Sequence, residues 1–274
     1  MTVRLIAAIA FADLLTHVGE IYSAVNIGLP NGTPHCTAVS IFRSFSRTFY
    51  CFTNIAICFH LYRGLVLLKK STWKYEVYTW IVTLAMVILF TSVYYSLGIF
   101  TGKLRKSACN PGADNKTMNR IYFLFVGIID LITILVGIFT TIVGRQSLNK
   151  WINSYADNRN RRLDDQNKFK SDRKKMASRS FLYPLATCVT LPFEALLLIL
   201  NSFGIMVLQI SIPKTITVGL SGLLTGLAFA FDPASHKAFY SAYTQIREKM
   251  NGCKPFKDDM TNYADNIPLS EKNI

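Results

Sequence analysis

Apolar residues fill six stretches of this chain, at about Leu5–Ile27, Thr37–Leu61, Tyr78–Phe100, Ile121–Val143, Phe181–Gln209 and Ile212–Phe231. Each reaches the roughly 20 residues that a helix needs to cross a bilayer's hydrocarbon core. The links between them are polar and rich in Gly, Pro, Asn and Lys, and no internal repeat is visible. The pattern predicts an all-α membrane protein, a transmembrane helix bundle of six spans. Asp232-Pro233 ends the sixth stretch, and 234–250 then reads as a short amphipathic helix lying on the membrane. Phe239, Tyr240 and Tyr243 fall on one side of it, with Lys237, Arg247 and Lys249 available to lipid headgroups. The bundle domain is thus expected over 1–250, and 251–274 as a disordered cytosolic tail.

Polar positions inside the spans recur at helical spacing. Polar groups are costly against lipid, so such stripes are expected to face the bundle interior. The first span carries Asp13, His17 and Glu20, and the second carries Arg43, Arg47, Tyr50, Asn54 and Cys58. Asp130 and Thr133 follow in the fourth, Thr187, Thr190, Glu194 and Asn201 in the fifth, and Thr217, Ser221, Thr225 and Asp232 in the sixth. Each set falls on one face. Together they predict a hydrated or ligand-accessible centre, with the Ser and Thr hydroxyls bonding neighbouring helices. Arg43 and Arg47 need anionic partners, and Glu20 and Glu194 sit at similar depth. These four are the candidate ligand-binding residues, expected to line an outward pocket. A purely structural ion-pair cluster is the competing reading, and a pocket can use such a cluster.

Composition supports the membrane reading. The chain is 51% hydrophobic and only 17% charged, where soluble domains carry roughly a quarter charged residues. Its net charge of +14 would suit nucleic acid if the basic residues formed one soluble patch. They lie instead between apolar runs, which points to anionic lipid and a cytosolic partner, with no nucleic acid. The links after the second and fourth spans are strongly basic and are placed in the cytosol, together with both chain ends. The link after the third span is basic too, but alternation of the spans puts it outside. Both N-x-S/T sequons, at Asn31 and Asn115, then fall outside as glycosylation candidates. Cys36 and Cys109 also lie outside, where disulfides persist, and Cys253 is a palmitoylation candidate beside the membrane. The six cysteines show neither a disulfide scaffold nor metal-ligand spacing, so no metal and no cofactor are expected. Asp13, His17 and Glu20 argue against a cleaved signal peptide.

The segment Ile9-Ala10-Phe11-Ala12-Asp13-Leu14-Leu15 resembles the second-helix motif of rhodopsin-like G-protein-coupled receptors, and Tyr183-Pro184 with Pro192 in the fifth span resembles receptors of the fungal and cAMP-receptor-like groups. The resemblance runs from the first span to about Cys253. It implies that Asp13 takes the place of the family's sodium- and water-binding aspartate, that Cys36 and Cys109 form a disulfide, and that Asp232-Pro233 takes the place of the Asn-Pro motif of the last helix. Of the family's Asp-Arg-Tyr triplet, aligned on His60-Leu61-Tyr62, only Tyr62 is kept, with Arg63 following. Those two become the G-protein-coupling candidates, and Leu61 departs from the pattern. The six spans are then the second to seventh of a seven-helix receptor, expected to lack the first. The implied function is transduction of an extracellular small-molecule or peptide ligand signal, at the plasma membrane, to a heterotrimeric G protein. An agonist between the outer helix halves would shift a pre-existing equilibrium, and the inner end of the fifth span would swing outward.

Two other classes bear on the same residues. Gly219-Leu220-Ser221-Gly222 matches a serine-protease pattern, with His17 as the one histidine at membrane depth away from the cytosolic face. Gly222 and Gly226 also read as a small-residue packing face, and no enzyme activity is expected. A six-helix transporter or channel with a charged interior is the stronger alternative, although neither repeats nor broken helices are expected.

Overall fold

The computed structural model describes residues 2–25, 33–67, 69, 72–100, 111–157, 181–205, 207–231 and 240–247. The described residues form helices joined by turns, without a strand. They are α1 (Thr2–Val25), α2 (Pro34–Leu65), α3 (Trp73–Ser96), α4 (Lys116–Asp157), α5 (Leu182–Thr190), α6 (Pro192–Ser202) and α7 (Leu208–Phe231). These belong to one compact unit, Met1–Pro233. A separate unit, Ala234–Ile274, is described only at 240–247, which are helical with Tyr240, Tyr243 and Ile246 exposed. Asp232 and Cys253 lie outside the described residues, as do Asn31 and Cys109.

Local chemistry sets the helix ends. Thr33 caps α2, its Oγ1 accepting from the Cys36 amide at 3.3 Å, and Pro34 occupies the first turn. Thr72 caps α3 in the same way. Asn115 Oδ1 accepts from the Thr117 amide at 2.9 Å and starts α4. Gly98 (φ 69°) and Gly204 (φ 82°) end α3 and α6. In each case the glycine amide and the next one reach back to carbonyls of the last turn, Gly98 to Tyr95 and Ile99 to Tyr94, Gly204 to Asn201 and Ile205 to Leu200. The apolar runs hide these stops, so the third span ends at Ser96 rather than Phe100, and the fifth at Ser202 rather than Gln209.

The fifth span is also broken, contrary to expectation. Pro192 has no amide to offer the Cys188 carbonyl, and α5 gives way to α6 at Leu191, whose backbone stays in the α region. α2 runs beyond Leu61 to Leu65. α4 is longest, at 42 residues or about 63 Å, so Arg145 and Lys150 extend a helix rather than begin a loop.

α2 is the centre of the bundle. It packs against α1, α3, α4 and α5, while α4 packs on α5 and α6, and α7 packs on α1, α5 and α6. Five helical stretches are long and apolar enough to cross a membrane: Arg4–Tyr22, Trp73–Ser96, Lys116–Trp151, Leu182–Ser202 and Leu208–Ala228. α2 is not among them, because its buried face is polar, with Ser40, Ser44, Ser46, Thr48, Thr53 and Asn54 all inside. Burial is inverted relative to a soluble bundle. Ile88 and Leu89 of α3, Leu135 and Phe139 of α4 and Leu223 of α7 are exposed, while Asp130, Thr133 and Thr190 are buried. An apolar exterior on this scale fits a multi-pass membrane protein.

Candidate functional site

The helices alternate in direction, with α5 and α6 running the same way as one broken stretch, so α2, α4 and α7 begin at the same end of the bundle, here called the Pro34 end. Arg43 and Arg47 stand one turn apart on α2, facing the helices around it. Arg43 Nη2 donates to Glu20 Oε1 of α1 at 2.5 Å. Arg47 is forked between two helices: Nη1 donates to Glu194 Oε1 of α6 at 2.5 Å, and Nη2 donates to Asp130 Oδ2 of α4. The Asp130 side chain is fully buried and also accepts from Cys51 Sγ at 3.4 Å. Lys214 of α7 reaches Glu194 at 3.7 Å. Three cations and three carboxylates thus join five helices.

A cavity of about 90 Å³ opens beside this cluster, lined by Thr16, Glu20, Arg43, Ser44, Arg47, Pro111, Tyr122, Glu194 and Val218. The four residues singled out from the sequence line one space. Two members of the cluster were not placed in it beforehand. Asp130 was visible as part of a polar stripe, but its pairing with Arg47 depends on how α4 lies against α2. Lys214 falls next to Pro213 at the start of the sixth stretch, and nothing local in its sequence marks a partner on another helix. The structure carries both inside α7.

Asp13 lies elsewhere, between α1 and α7. Ser221 Oγ donates to its Oδ1 at 2.7 Å, and His17 Nε2 is 3.2 Å from the same hydroxyl. Gly222 makes this approach possible, since a Cβ there would stand 3.1 Å from Asp13 Oδ2 and 3.2 Å from His17 Nε2. Gly226, expected to pack with it, faces open space. Serine, histidine and aspartate therefore do meet, but not as a proton relay. In a relay the imidazole stands between the other two and uses both nitrogens. Here serine bonds aspartate directly, and the single nitrogen Nε2 faces both, 3.7 Å from Asp13 Oδ1.

At the other end, the Leu65 end, Tyr62 and Arg63 diverge. The Tyr62 ring lies against Phe139 of α4, with centroids 6.1 Å apart, and the Arg63 guanidinium stacks 3.9 Å over the Tyr75 ring of α3. Cys36 is buried at the start of α2, and Cys51, Cys58 and Cys188 are free thiols. Asn115 is exposed at the Pro34 end. Most interior hydroxyls bond a carbonyl of their own helix rather than a neighbouring helix, as with Thr48 to Ser44 and Thr133 to Ile129. Thr187 of α5, donating to Asn54 Oδ1 of α2 at 2.7 Å, and Ser147 of α4, donating to the Leu65 carbonyl at 3.1 Å, do cross between helices. Among the described residues no group of His, Cys, Asp or Glu is arranged to hold a metal ion. No protein-family model matches the chain, and no curated protein matches it.

Proposed function

We propose that the chain is a receptor of the rhodopsin-like seven-helix class, carrying an extracellular ligand signal across the plasma membrane to a heterotrimeric G protein. In this reading α1, α2, α3, α4, the kinked α5–α6 pair and α7 are six spans. The Pro34 end faces outward, and both chain ends are cytosolic. The supporting observation is the position of Arg47. It borders the cavity, and it grips Glu194 two residues beyond the Pro192 kink. A ligand that competes for either side chain acts on the outer arm of a hinged span. The inner arm, α5, meets α2 through a neutral contact, Thr187 with Asn54. Binding would shift a pre-existing equilibrium by the ligand's differential affinity for the two states. In this reading the long inner end of α4 and Arg63 border the face where a G-protein α subunit would dock.

The same reading includes a Cys36–Cys109 disulfide, glycans on Asn31 and Asn115, and a membrane-lying helix over 234–250 followed by a palmitoylated Cys253. An end-capping role for Asn115 is compatible with a glycan, because the cap uses Oδ1 and the glycan bond uses Nδ2.

The break at Pro192 and the charged interior also favour a second reading, a transporter or channel. The chain reconstituted in proteoliposomes separates the two. Ligand-dependent guanine-nucleotide exchange on added heterotrimeric G proteins, without ion or solute flux, supports the receptor. Flux without exchange supports the transporter.

A further inference from the structure

The lining of the cavity specifies the chemistry of its occupant. Two buried polar atoms at its wall have no hydrogen-bond partner, Ser44 Oγ and Arg47 Nε. Ser44 is only 3% exposed, and the Tyr122 hydroxyl in the same space interacts with it without completing a well-formed hydrogen bond. A buried polar group left unsatisfied costs about 1–3 kcal/mol, so an occupant bearing acceptor oxygens is favoured here.

Charge narrows the class further. Arg43, Arg47 and Lys214 balance Glu20, Asp130 and Glu194. A bare anion would leave this partly buried cluster with an uncompensated charge, which is costly. A zwitterion adds none. Glu20 is the most exposed of the ion-paired side chains around the cavity, at 42%, and so stands at its mouth, able to exchange Arg43 for a ligand cation. The volume, about 90 Å³, corresponds to roughly three waters of liquid and is well below the ~300 Å³ of a drug-sized site.

We infer that the cavity binds a small zwitterionic amino acid of glycine or alanine size. The carboxylate accepts from Ser44 Oγ–H, Arg47 Nε–H and the Arg43 guanidinium, and the ammonium donates to Glu20. As a signalling ligand this rests on the receptor reading, but binding itself is measured without any G protein.

The test uses the purified full chain in lipid nanodiscs with radiolabelled glycine, alanine, acetate and methylamine. Saturable binding of glycine or alanine is expected, with acetate and methylamine at least about tenfold weaker. Ser44→Ala should weaken it by about tenfold, the equivalent of one hydrogen bond to a charged group. Ser44→Leu, which fills the cavity, should abolish it, with thermal unfolding of both variants reported alongside to show that they are folded. Acetate binding as tightly as alanine overturns the zwitterion, and so does wild-type affinity in a folded Ser44→Leu variant. Absence of amino-acid binding to the folded wild-type chain overturns it as well. If amino acids bind but drive no nucleotide exchange on any G protein, the inference stands and the receptor reading falls. If another ligand class drives exchange and amino acids do not bind, the reverse holds.

Discussion

In the Pro34 half of the bundle, α1, α2, α4, α6 and α7 meet through three cations and three carboxylates. In the Leu65 half the contacts of α2 with α4 and α5 are mainly neutral, and the ion pair found there, Arg4 with Glu76, joins α1 to α3 through a largely exposed arginine. Thr187 bonds Asn54, Ser147 bonds the Leu65 carbonyl, and Phe181 lies where a Cβ on Gly144 would stand, 2.7 Å from the ring. The first kind of contact cannot be undone one partner at a time, because each charge removed strands another away from water. The second can slide or repack at modest cost. The kinked α5–α6 span belongs to both halves, with Glu194 on the ionic side of Pro192 and Thr187 on the neutral side. On the receptor reading, a ligand that edits the ionic half acts on the neutral half through this one span.

The contrast predicts a ranked series of stabilities, measured by unfolding in nanodiscs or mixed micelles. Arg47→Leu should cost the most, about 3–5 kcal/mol, because the fully buried Asp130 loses its cation and Glu194 is left with the more distant Lys214. Adding Asp130→Asn should recover part of that loss, and a double mutant no better than the single would break the ionic account. Gly144→Leu should come next, at about 1–3 kcal/mol from overpacking against Phe181, relieved by Phe181→Ala. Thr187→Ala should cost only about 1 kcal/mol, the usual scale of an interhelical hydrogen bond in a membrane. If it matched Arg47→Leu, the two halves would not differ as described. Arg4→Ala should cost least, about 0.5 kcal/mol or less, since Arg4 is 63% exposed where it pairs with Glu76.

Much of this was legible from residue spacing. An α-helix fixes phase, so the helical stretches and the inward direction of Asp13, Arg43, Arg47 and Glu194 could be read directly, although among the described residues five stretches, not six, are apolar enough to span a bilayer. Glu20 and Glu194 as partners of the two arginines followed from matching depths. What could not be read depended on neighbours outside the local sequence. Asp130 shows its phase but not the tilt that brings it to Arg47. Lys214 follows Pro213, which looks like a helix breaker, yet the structure holds that proline within α7. Gly98 and Gly204 were masked by the apolar residues around them. The polar stretch after Val143 has a loop's composition, although it continues α4 to Asp157. Ser221 was recognised as a candidate nucleophile, but only the packing of α1 on α7 shows that its hydroxyl is spent on Asp13.

The central claim is that the Arg47–Glu194 contact restrains the outer arm of the hinged span. Glu194→Gln weakens that contact while keeping the side chain's size, and so imitates an occupied pocket without any ligand. The decisive measurement is basal guanine-nucleotide exchange on a panel of purified heterotrimeric G proteins, comparing wild-type and Glu194→Gln chains at matched amounts in nanodiscs. The account predicts faster basal exchange with Glu194→Gln on at least one G protein. Exchange equal to that of empty nanodiscs for both chains, with both shown to be folded, would contradict it.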